Sequence, residues 1–146
     1  MFRGRKQLSL DAKGRLTMPA KYRDRLQESC DGELVITIDR SKCLLIYPLP
    51  EWEEVEAKLA KLSSTRPEVR RFTRFITHNA EEVEMDKQGR FVIPPHLREY
   101  ANLDRQVVLA GHVNKLELWD QGSYDAEALD WPDEMEMPDE VANLSF

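Results

Sequence analysis

The sequence predicts a β-rich α+β protein built from two copies of one supersecondary unit. Residues 8–23 (LSLDAKGRLTMPAKYR) and residues 83–98 (VEMDKQGRFVIPPHLR) repeat one pattern at a fixed offset of 75 residues. A second match aligns residues 34–48 with residues 106–120, and in both segments a polar turn interrupts an apolar run. Apolar residues at helical spacing lie between the copies, so two repeats joined by helices are expected to share one core.

The first copy is predicted to begin with two short strands, at residues 6–10 and 15–18, because apolar and polar side chains alternate there. Asp11 can open the turn between them and Gly14 can take the positive φ that closes it, so a hairpin is expected. Pro19 then suits the start of a short helix over residues 20–26. Strands at 33–38 and 43–47 are expected to form a second hairpin.

The second copy follows the same order, with strands expected at 82–85, 90–93, 107–110 and 116–119 and a helix at 95–100. The linker predicts two helices, one through Trp52, Val55, Leu59 and Leu62 and one opened by Pro67 with Val69, Phe72, Phe75 and Ile76. These helices are expected to cover the sheets. Trp52 and the linker phenylalanines are therefore interpreted as core residues and not as base-stacking platforms.

These elements divide the chain into four expected regions. They are a first repeat at 1–50, linking helices at 51–79, a second repeat at 80–122 and an acidic C-terminal tail at 123–146. The composition, 41% hydrophobic and 33% charged, is typical of a soluble globular protein. No apolar run approaches the roughly 18 residues of a membrane span, and MFRGRKQ has no signal-peptide character, so a cytoplasmic location is expected.

The charge is distributed unevenly along the chain. The net charge is −6, yet residues 120–146 hold nine acids and no Lys or Arg. Residues 1–25 carry eight cations against two acids, a net +6, whereas the matching window of the second copy, 76–100, has a net charge of −2. Such asymmetry between duplicated segments favours the interpretation that the first copy binds the phosphates of a nucleic acid. The alternative is a charged surface that only contacts solvent.

Motifs of enzyme chemistry are missing from the sequence. It contains no G-x-x-x-x-G-K, no G-x-G-x-x-G and no G-x-S-x-G, and its three histidines fit no metal-ligand spacing. We therefore expect no enzyme activity, no cofactor, no metal site and no small-molecule substrate. Cys30 and Cys43 are interpreted as inert buried thiols, and the acidic tail as a solvated segment that partly counterbalances the basic end.

The pattern D-x-K-G-R-L-x-x-P-x-x-x-R beginning at Asp11 is echoed by D-x-x-G-R-x-x-x-P-x-x-x-R beginning at Asp86, in a chain that starts MFRG. Over about residues 1–125 the sequence closely resembles the MraZ family, which belongs to the swapped-hairpin (SpoVT/AbrB-type) superfamily. The resemblance implies tandem swapped-hairpin repeats and a sequence-specific DNA-binding transcriptional regulator associated with the nucleoid. It further implies a ring-like homo-oligomer that binds short direct repeats of double-stranded DNA upstream of the division and cell-wall gene cluster, with self-regulation.

In each D-x-x-x-R unit, the Asp can accept turn N–H groups while the Arg can pair with it or project to a ligand. Asp11 and Gly14 are interpreted as structural turn residues, and so are Asp86, Gly89 and Arg90 of the second copy. Arg15 lies amid like charges and offers the bidentate fork that guanine accepts, so DNA contact is favoured over an internal salt bridge. The other expected DNA contacts are Arg3, Arg5, Lys6, Lys13, Lys21 and Arg23, flanked by Arg25.

A second interpretation is a protein-interaction module, such as an antitoxin-like partner binder or a ring scaffold, in which the acidic tail makes the main contact. An acidic-site hydrolase is a third and weakly supported interpretation. Retention on heparin separates the first two classes, because a DNA reader binds the polyanion despite a pI near 5.2.

Overall fold

A computed structural model of the protein describes residues 1–62, 65–128 and 138–143. The first repeat contains β1 (Arg5–Ser9), β2 (Arg15–Thr17), α1 (Ala20–Cys30), β3 (Glu33–Ile38) and β4 (Leu44–Pro48). The linker forms α2 (Leu49–Ala60) and α3 (Pro67–His78). The second repeat contains β5 (Glu81–Glu84), β6 (Arg90–Val92), α4 (Pro95–Tyr100), β7 (Gln106–His112) and β8 (Lys115–Asp120), followed by α5 (Gln121–Glu127) and α6 (Asp139–Ala142). The predicted mixture of helices and antiparallel strands is confirmed.

Helix α1 runs four residues past its expected end. Tyr22, Leu26 and Cys30 recur four residues apart and are all buried, so its core-facing stripe continues to the last turn. The helix ends where Asp31 and Gly32 adopt φ values of 54° and 75°. That left-handed conformation closes helices readily at glycine, which explains the position of the end.

The strands of the two repeats pair with each other across the duplication. A six-stranded antiparallel sheet has the order β1-β7-β8-β4-β3-β5, and a separate two-stranded ribbon pairs β2 with β6. The expected hairpin of β1 with β2 is therefore wrong, because β1 pairs with β7 of the second repeat. The expected hairpins of β3 with β4 and of β7 with β8 are confirmed.

The cross-pairing gives the fold an approximate internal twofold axis. In the ribbon, Leu16 lies opposite Phe91, which is its own counterpart 75 residues later. In the sheet, Leu45 of β4 lies opposite Glu117 of β8, its counterpart in the second match. Each repeat therefore completes the other within one chain.

The main core lies between the six-stranded sheet and the ribbon. Leu16 and Phe91 point inward from the ribbon, and Leu26 and Leu97 point inward from α1 and α4. They meet a layer of aliphatic sheet residues that are all buried, namely Leu34, Ile36, Ile38, Leu44, Ile46, Val107, Leu109, Leu116 and Leu118. Burial of this layer on one face fixes the register of the strands.

Helices cover the opposite face of the sheet. Trp52 of α2 is buried with Val35, Leu45 and Tyr47, as predicted, and Ile76 of α3 packs against the same cluster. On the second repeat, Tyr124 of α5 packs with Cys43, Val108 and Trp119. Phe72 and Phe75 of α3 differ from the prediction, since they are 48% and 51% exposed. Their side chains lie at the rim of the helix–sheet contact.

Helix α5 follows β8 directly and crosses the expected start of the acidic tail at residue 123. Its first turn is capped by the Asp120 carboxylate, which accepts the Ser123 N–H. The tail acids Asp130, Asp133, Glu134 and Glu136 lie outside the described residues. Across the part of the chain that is described, no helix is long and apolar enough to cross a membrane.

Candidate nucleic-acid interface

The first D-x-x-x-R unit is a tight turn organised by one carboxylate. Asp11 Oδ1 accepts the backbone N–H groups of Lys13 and Arg15, at 2.9 and 2.8 Å. The other oxygen, Oδ2, accepts Arg15 Nε at 2.7 Å. Gly14 closes the turn at φ 79°, with its N–H donated to the Asp11 carbonyl. Asp11 and Gly14 thus make their hydrogen bonds within the turn itself.

The second unit has the same geometry. Asp86 Oδ1 accepts the N–H groups of Gln88 and Arg90, both at 2.9 Å, and Oδ2 accepts Arg90 Nε at 3.1 Å. Gly89 closes this turn at φ 83°. Arg90 makes an additional bond through Nη2 to Gln88 Oε1, whereas the residue equivalent to Gln88 in the first repeat is Lys13. The side chains of Arg15 and Arg90 are 46% and 52% exposed. The ion pair and the exposure thus do not distinguish the two arginines.

The ribbon brings the two arginines onto one outer face. Alternation along β2 and β6 buries Leu16 and Phe91, so the exposed face carries Arg15, Thr17, Arg90 and Val92. Arg15 lies opposite Val92, and Thr17 opposite Arg90, which places the arginines diagonally across the internal twofold axis. We name these four residues the ribbon face. Arg15 and Arg90 also line one cleft of about 380 Å³, together with Glu84 and Asp86.

Each turn is held in place by an arginine from the other repeat. Arg23 of α1 donates to the Met18 carbonyl and lies against Gly89. Its counterpart Arg98 of α4 donates to the Ile93 carbonyl and lies against Gly14. Arg23 is half-buried in this arrangement, so the geometry favours a structural role over the expected DNA contact.

The N-terminal arm and Lys21, both predicted to contact DNA, meet beside the first turn of α1, and Lys6 follows on β1. Tyr22 Oη donates to the Arg3 carbonyl, which joins the N-terminal arm to α1. Lys21 lies next to Gly4 and its Nζ stands 4.8 Å from the centre of the Tyr22 ring. Lys6 is exposed on the same side of β1 as Leu8, which packs on the main core. Arg3, Lys6 and Lys21 are all exposed, and we call these three residues the basic patch; Lys6 lies on the ribbon side of β1 and Lys21 on α1.

Arg5 lies on the other side of the same strand. Its guanidinium carbon is 5.8 Å from the centre of the Tyr124 ring, and Tyr124 belongs to the cluster under α5. Arg25 stacks on Phe2 and donates to the Met1 carbonyl. The structure therefore does not bring Arg5 together with Arg15, and it ties Arg25 to the N-terminus.

The charge asymmetry has its origin outside the turns. Each turn carries one Asp, one Arg and one Lys, since Lys87 in the second turn balances Lys13 in the first. Most of the difference lies on the edge strands: Lys6 of β1 is replaced by Glu81 in β5, which also carries Glu82 and Glu84. Lys21 has His96 as its counterpart, and His96 Nε2 lies 3.7 Å from a Glu81 oxygen.

The turns lower the pKa of both aspartates. For Asp11, the backbone N–H of Arg15 is the largest cause of a pKa below the ordinary 3.8, followed by the side chain of Arg15. For Asp86, the backbone N–H of Arg90 is likewise the largest cause of the lowered pKa. Both carboxylates are consequently ionised at neutral pH and hold their arginines by charge-assisted bonds.

Thr17, Lys87 and Val92 are part of this surface, although the charge pattern of the sequence did not indicate them. Thr17 and Val92 each stand two residues after an arginine on a short strand, so alternation alone placed them on the arginine's face. Lys87 stands where the first turn has Ala12. Within the described ranges, no group of three or more His, Cys, Asp or Glu residues is arranged to hold a metal ion.

Comparison of the sequence with known proteins identifies one family. The sequence model described as "MraZ protein, putative antitoxin-like" matches residues 1–75 and 76–129. One match covers the first repeat with most of the linker, and the other covers the second repeat with α5. The family model therefore matches the two repeats separately.

Relatives from three bacteria carry the name Transcriptional regulator MraZ. The one from Pseudomonas aeruginosa is 54% identical over 129 residues, which cover 88% of this chain and 85% of the relative. Those from Halorhodospira halophila and Pseudomonas putida are 48% and 49% identical, covering 100% and 99% of both chains. The duplicated turns, the cross-paired ribbon and these matches agree, and the chain belongs to the MraZ family.

Proposed function

We propose that the protein is a transcriptional regulator and that its ribbon face reads double-stranded DNA. The observation that carries the proposal is the pair of exposed arginines, Arg15 and Arg90, displayed on one narrow two-stranded ribbon and oriented by Asp11 and Asp86. The relatives' name, Transcriptional regulator MraZ, supports the same function.

The dimensions and chemistry of the ribbon suit a major groove. A two-stranded β-ribbon fits a groove about 12 Å wide, where guanine presents two acceptors to an arginine fork. The ion pair to Asp11 uses Arg15 Nε, and a guanidinium has two further nitrogens for a bidentate contact. An arginine held by its own carboxylate also loses less side-chain freedom on binding.

The surrounding basic residues divide into two roles. Lys13 lies in the turn next to Arg15, and Arg3, Lys6 and Lys21 lie on the basic patch beside α1, so all four are proposed to contact phosphates. We assign Arg23 to positioning the second turn. Arg5, which stacks near Tyr124 on the other side of β1, is assigned no contact in this binding mode.

Assembly is proposed to supply the affinity that one small ribbon lacks. A ring-like homo-oligomer presents several identical ribbon faces, and short direct repeats at matching intervals make the later contacts intramolecular. By resemblance to the family, the target is DNA upstream of the division and cell-wall gene cluster, with self-regulation, in a cytoplasmic and nucleoid-associated protein.

The cross-repeat pairing supports the assignment of both copies as swapped-hairpin, SpoVT/AbrB-like units. In this assignment the repeats at 1–50 and 80–122 exchange strands, the helices at 51–79 connect them, and the segment from 123 follows. The pairings of β1 with β7, β3 with β5 and β2 with β6 are the supporting observations.

The direct test is fluorescence anisotropy of the full chain with the DNA immediately upstream of its own gene. We expect tighter binding to this DNA than to a shuffled fragment of equal length, with affinity falling steeply as salt rises. Equal affinity for both fragments at every salt concentration would refute sequence-specific reading. DNase footprinting on the same fragment would then locate the repeats.

The second candidate is a protein-interaction module. The family's description as antitoxin-like and the exposed aromatic residues of α3 favour this alternative. Heparin chromatography discriminates the two: the DNA reader is retained and elutes at elevated salt, whereas a module with a pI near 5.2 and no polyanion site flows through.

A further inference from the structure

The two strands at the edges of the six-stranded sheet carry opposite charges. β1 begins the strand order and β5 ends it, so each is bonded to a single neighbour among the described strands of this sheet. β1 (RKQLS) contains two cations and no acid, whereas β5 (EEVE) contains three acids and no cation. The proposed DNA reading gives no role to Arg5 of β1 or to Glu82 of β5.

Arg5 and Glu82 lie on the same side of the sheet. Leu8 of β1 and Val83 of β5 pack on the main core, which lies on the ribbon side. Side chains alternate along a strand, so Arg5, three residues before Leu8, points to the side that the helices cover. Glu82, next to Val83, points to that side as well. Both side chains are exposed, and Arg5 lies beside Tyr124 of α5.

The outer backbone groups of β1 point away from the sheet. Leu10 N–H donates to the Arg105 carbonyl at 2.7 Å, which continues the ladder with β7. Because antiparallel partners alternate between bonded and non-bonded pairs, the even-numbered residues of β1 bond to β7. The odd-numbered residues turn their N–H and C=O groups outward, and they are Arg5, Gln7 and Ser9.

β5 presents outer backbone groups in the same way. Met85 N–H donates to the Gly32 carbonyl at 2.9 Å, which continues the ladder with β3. By the same alternation, Glu82 and Glu84 turn their N–H and C=O groups outward. A row of outward backbone groups at a sheet edge is a template for pairing with a strand of another chain.

The charges favour one of the three possible edge pairings between two copies of the chain. Two β1 edges would bring Arg5 of one copy towards Arg5 of the other, and two β5 edges would do the same for Glu82. Like charges on facing strands are destabilising, whereas opposite charges stabilise the pair. Only the pairing of β1 with β5 brings opposite charges together.

The strand directions suit the same pairing. All neighbours in the sheet are antiparallel, so β1 and β5, with four strands between them, run in opposite directions. A second copy in the same orientation therefore presents its β5 antiparallel to β1, with the helix-covered sides of both sheets aligned. This head-to-tail contact can repeat from copy to copy, and it forms a ring when the rotation between copies closes.

We infer that β1 of one protomer pairs with β5 of a second copy, so that the six-stranded sheet continues from one protomer into the next. Outward backbone groups of the two strands bond to each other, and Arg5 faces the acidic side chain of Glu82 across the contact. This inference rests on the ring-like homo-oligomer of the proposed function and identifies the surface that builds it. Lys6 points to the ribbon side and stays available to a phosphate.

Complementation between two charge-reversal variants of the full chain tests the contact by analytical ultracentrifugation. Arg5→Glu sets an acid against Glu82, and Glu82→Arg sets a cation against Arg5. Each variant alone is expected to need about threefold or more protein for half-assembly, the effect of one cross-strand pair turned to repulsion. An equimolar mixture is expected to assemble like the parent, because every contact between unlike variants again joins opposite charges. Parent-like assembly of either variant alone, or a mixture that assembles no better than its components, overturns the inference.

The matched controls make the same reversals at exposed positions on the helices. They are Arg74→Glu in α3 and Glu53→Arg in α2, and both are expected to assemble like the parent. Losses as large as those of the edge variants would show that net charge, and not the two edges, governs assembly, and would overturn the inference.

Hydrogen exchange of the parent chain is a second measurement that needs no variant. When the protein concentration is raised until the chain assembles, the outward amides of β1 and β5 are expected to gain protection, while those of α2 exchange as before. Unchanged exchange at both edges of an assembled parent overturns this inference alone. A parent that stays monomeric at every concentration overturns the proposed ring as well, and DNA anisotropy tests the ribbon face independently of both.

Discussion

Arg23 of the first repeat lies directly against Gly89 of the second. A Cβ added to Gly89 would stand 2.5 Å from Arg23 Nε, so any other residue here would force the Arg23 side chain to shift. The relationship is reciprocal, because a Cβ at Gly14 would stand 2.7 Å from Arg98 Cζ. Each turn of the proposed DNA-reading ribbon is therefore positioned by a residue distant in sequence.

Gly89→Ala is expected to destabilise the fold by about 1–3 kcal/mol, since it places a side chain at positive φ and displaces Arg23. Urea unfolding of the parent and the variant measures the change in the free energy of unfolding. Combined with Arg23→Ala, the loss should be less than additive, because the arginine no longer occupies the space.

Gly122→Ala is the control for this prediction. Gly122 lies in α5 without a positive φ, and an added Cβ would meet only an Asp120 oxygen at 3.3 Å. Since alanine favours helices, stability is expected to change by less than about 1 kcal/mol. Equal destabilisation by both alanines would contradict the close contact between Arg23 and Gly89.

The sequence predicted local structure well because that structure has local causes. The Asp11 carboxylate caps the N–H groups two and four residues later, and Gly14 supplies the positive φ, so the turn is fixed within five residues. The partner of β1 is not fixed in this way. Equivalent strands exist in both repeats, and β1 pairs with β7 of the second repeat, where Leu8 lies opposite the distant Val107.

The candidate site was predicted only in part for the same reason. Charge counting located a basic N-terminal region, and the structure gathers Lys6 and Lys21 on one side of the sheet. The direction of a single side chain depends on tertiary contacts. Arg5 alternates to the face of Tyr124, and Arg23 turns inward to the Met18 carbonyl, which a linear charge pattern does not reveal.

Arg15→Ala is expected to weaken binding to the DNA upstream of the protein's own gene, here called the operator, by about 1–3 kcal/mol per engaged ribbon. The loss of binding free energy accumulates over the ribbons of a ring that bind together. Arg90→Ala should weaken it less, because acidic β5 adjoins that half of the ribbon. Both ion pairs are exposed, so neither change should alter the free energy of unfolding by more than about 1 kcal/mol. Anisotropy and urea unfolding are the measurements. Full binding by Arg15→Ala with loss by Arg90→Ala would reverse the assignment of the two copies.

Lys13→Gln introduces the residue that the second repeat carries at the equivalent position. If Lys13 contacts a phosphate, the slope of log affinity against log salt falls in magnitude by about 0.9 per engaged protomer, for operator and random DNA alike. Lys61→Gln at the end of α2 is the matched control and should leave the slope unchanged. A change in operator preference at constant slope would instead make Lys13 a base-reading residue.

The pKa of Asp11 reports the Arg15 ion pair in solution. Arg15→Ala should raise this pKa while leaving it below 3.8, because the backbone N–H groups of residues 15 and 13 still donate to the carboxylate. A carboxyl whose folded pKa is lowered stabilises the fold above its unfolded pKa, and that stabilisation disappears as pH falls through the folded value. Carbon-detected NMR titration measures both aspartates, and the pKa of Asp86 should stay constant. An unchanged Asp11 pKa in the variant would show that the ion pair is not formed in solution.

Separation of the repeats should abolish the monomeric fold. In a chain of residues 1–79, β1 and β2 lose β7 and β6, and Leu16 loses Phe91, so the apolar face of the sheet is left uncovered. Only a second copy of the fragment can supply equivalent strands, so the fragment should be either unfolded or a dimer. Circular dichroism with multi-angle light scattering distinguishes these states at several concentrations. A folded monomer of residues 1–79 would show that β1 and β2 can pair within one repeat, and the cross-repeat exchange would then be dispensable for folding.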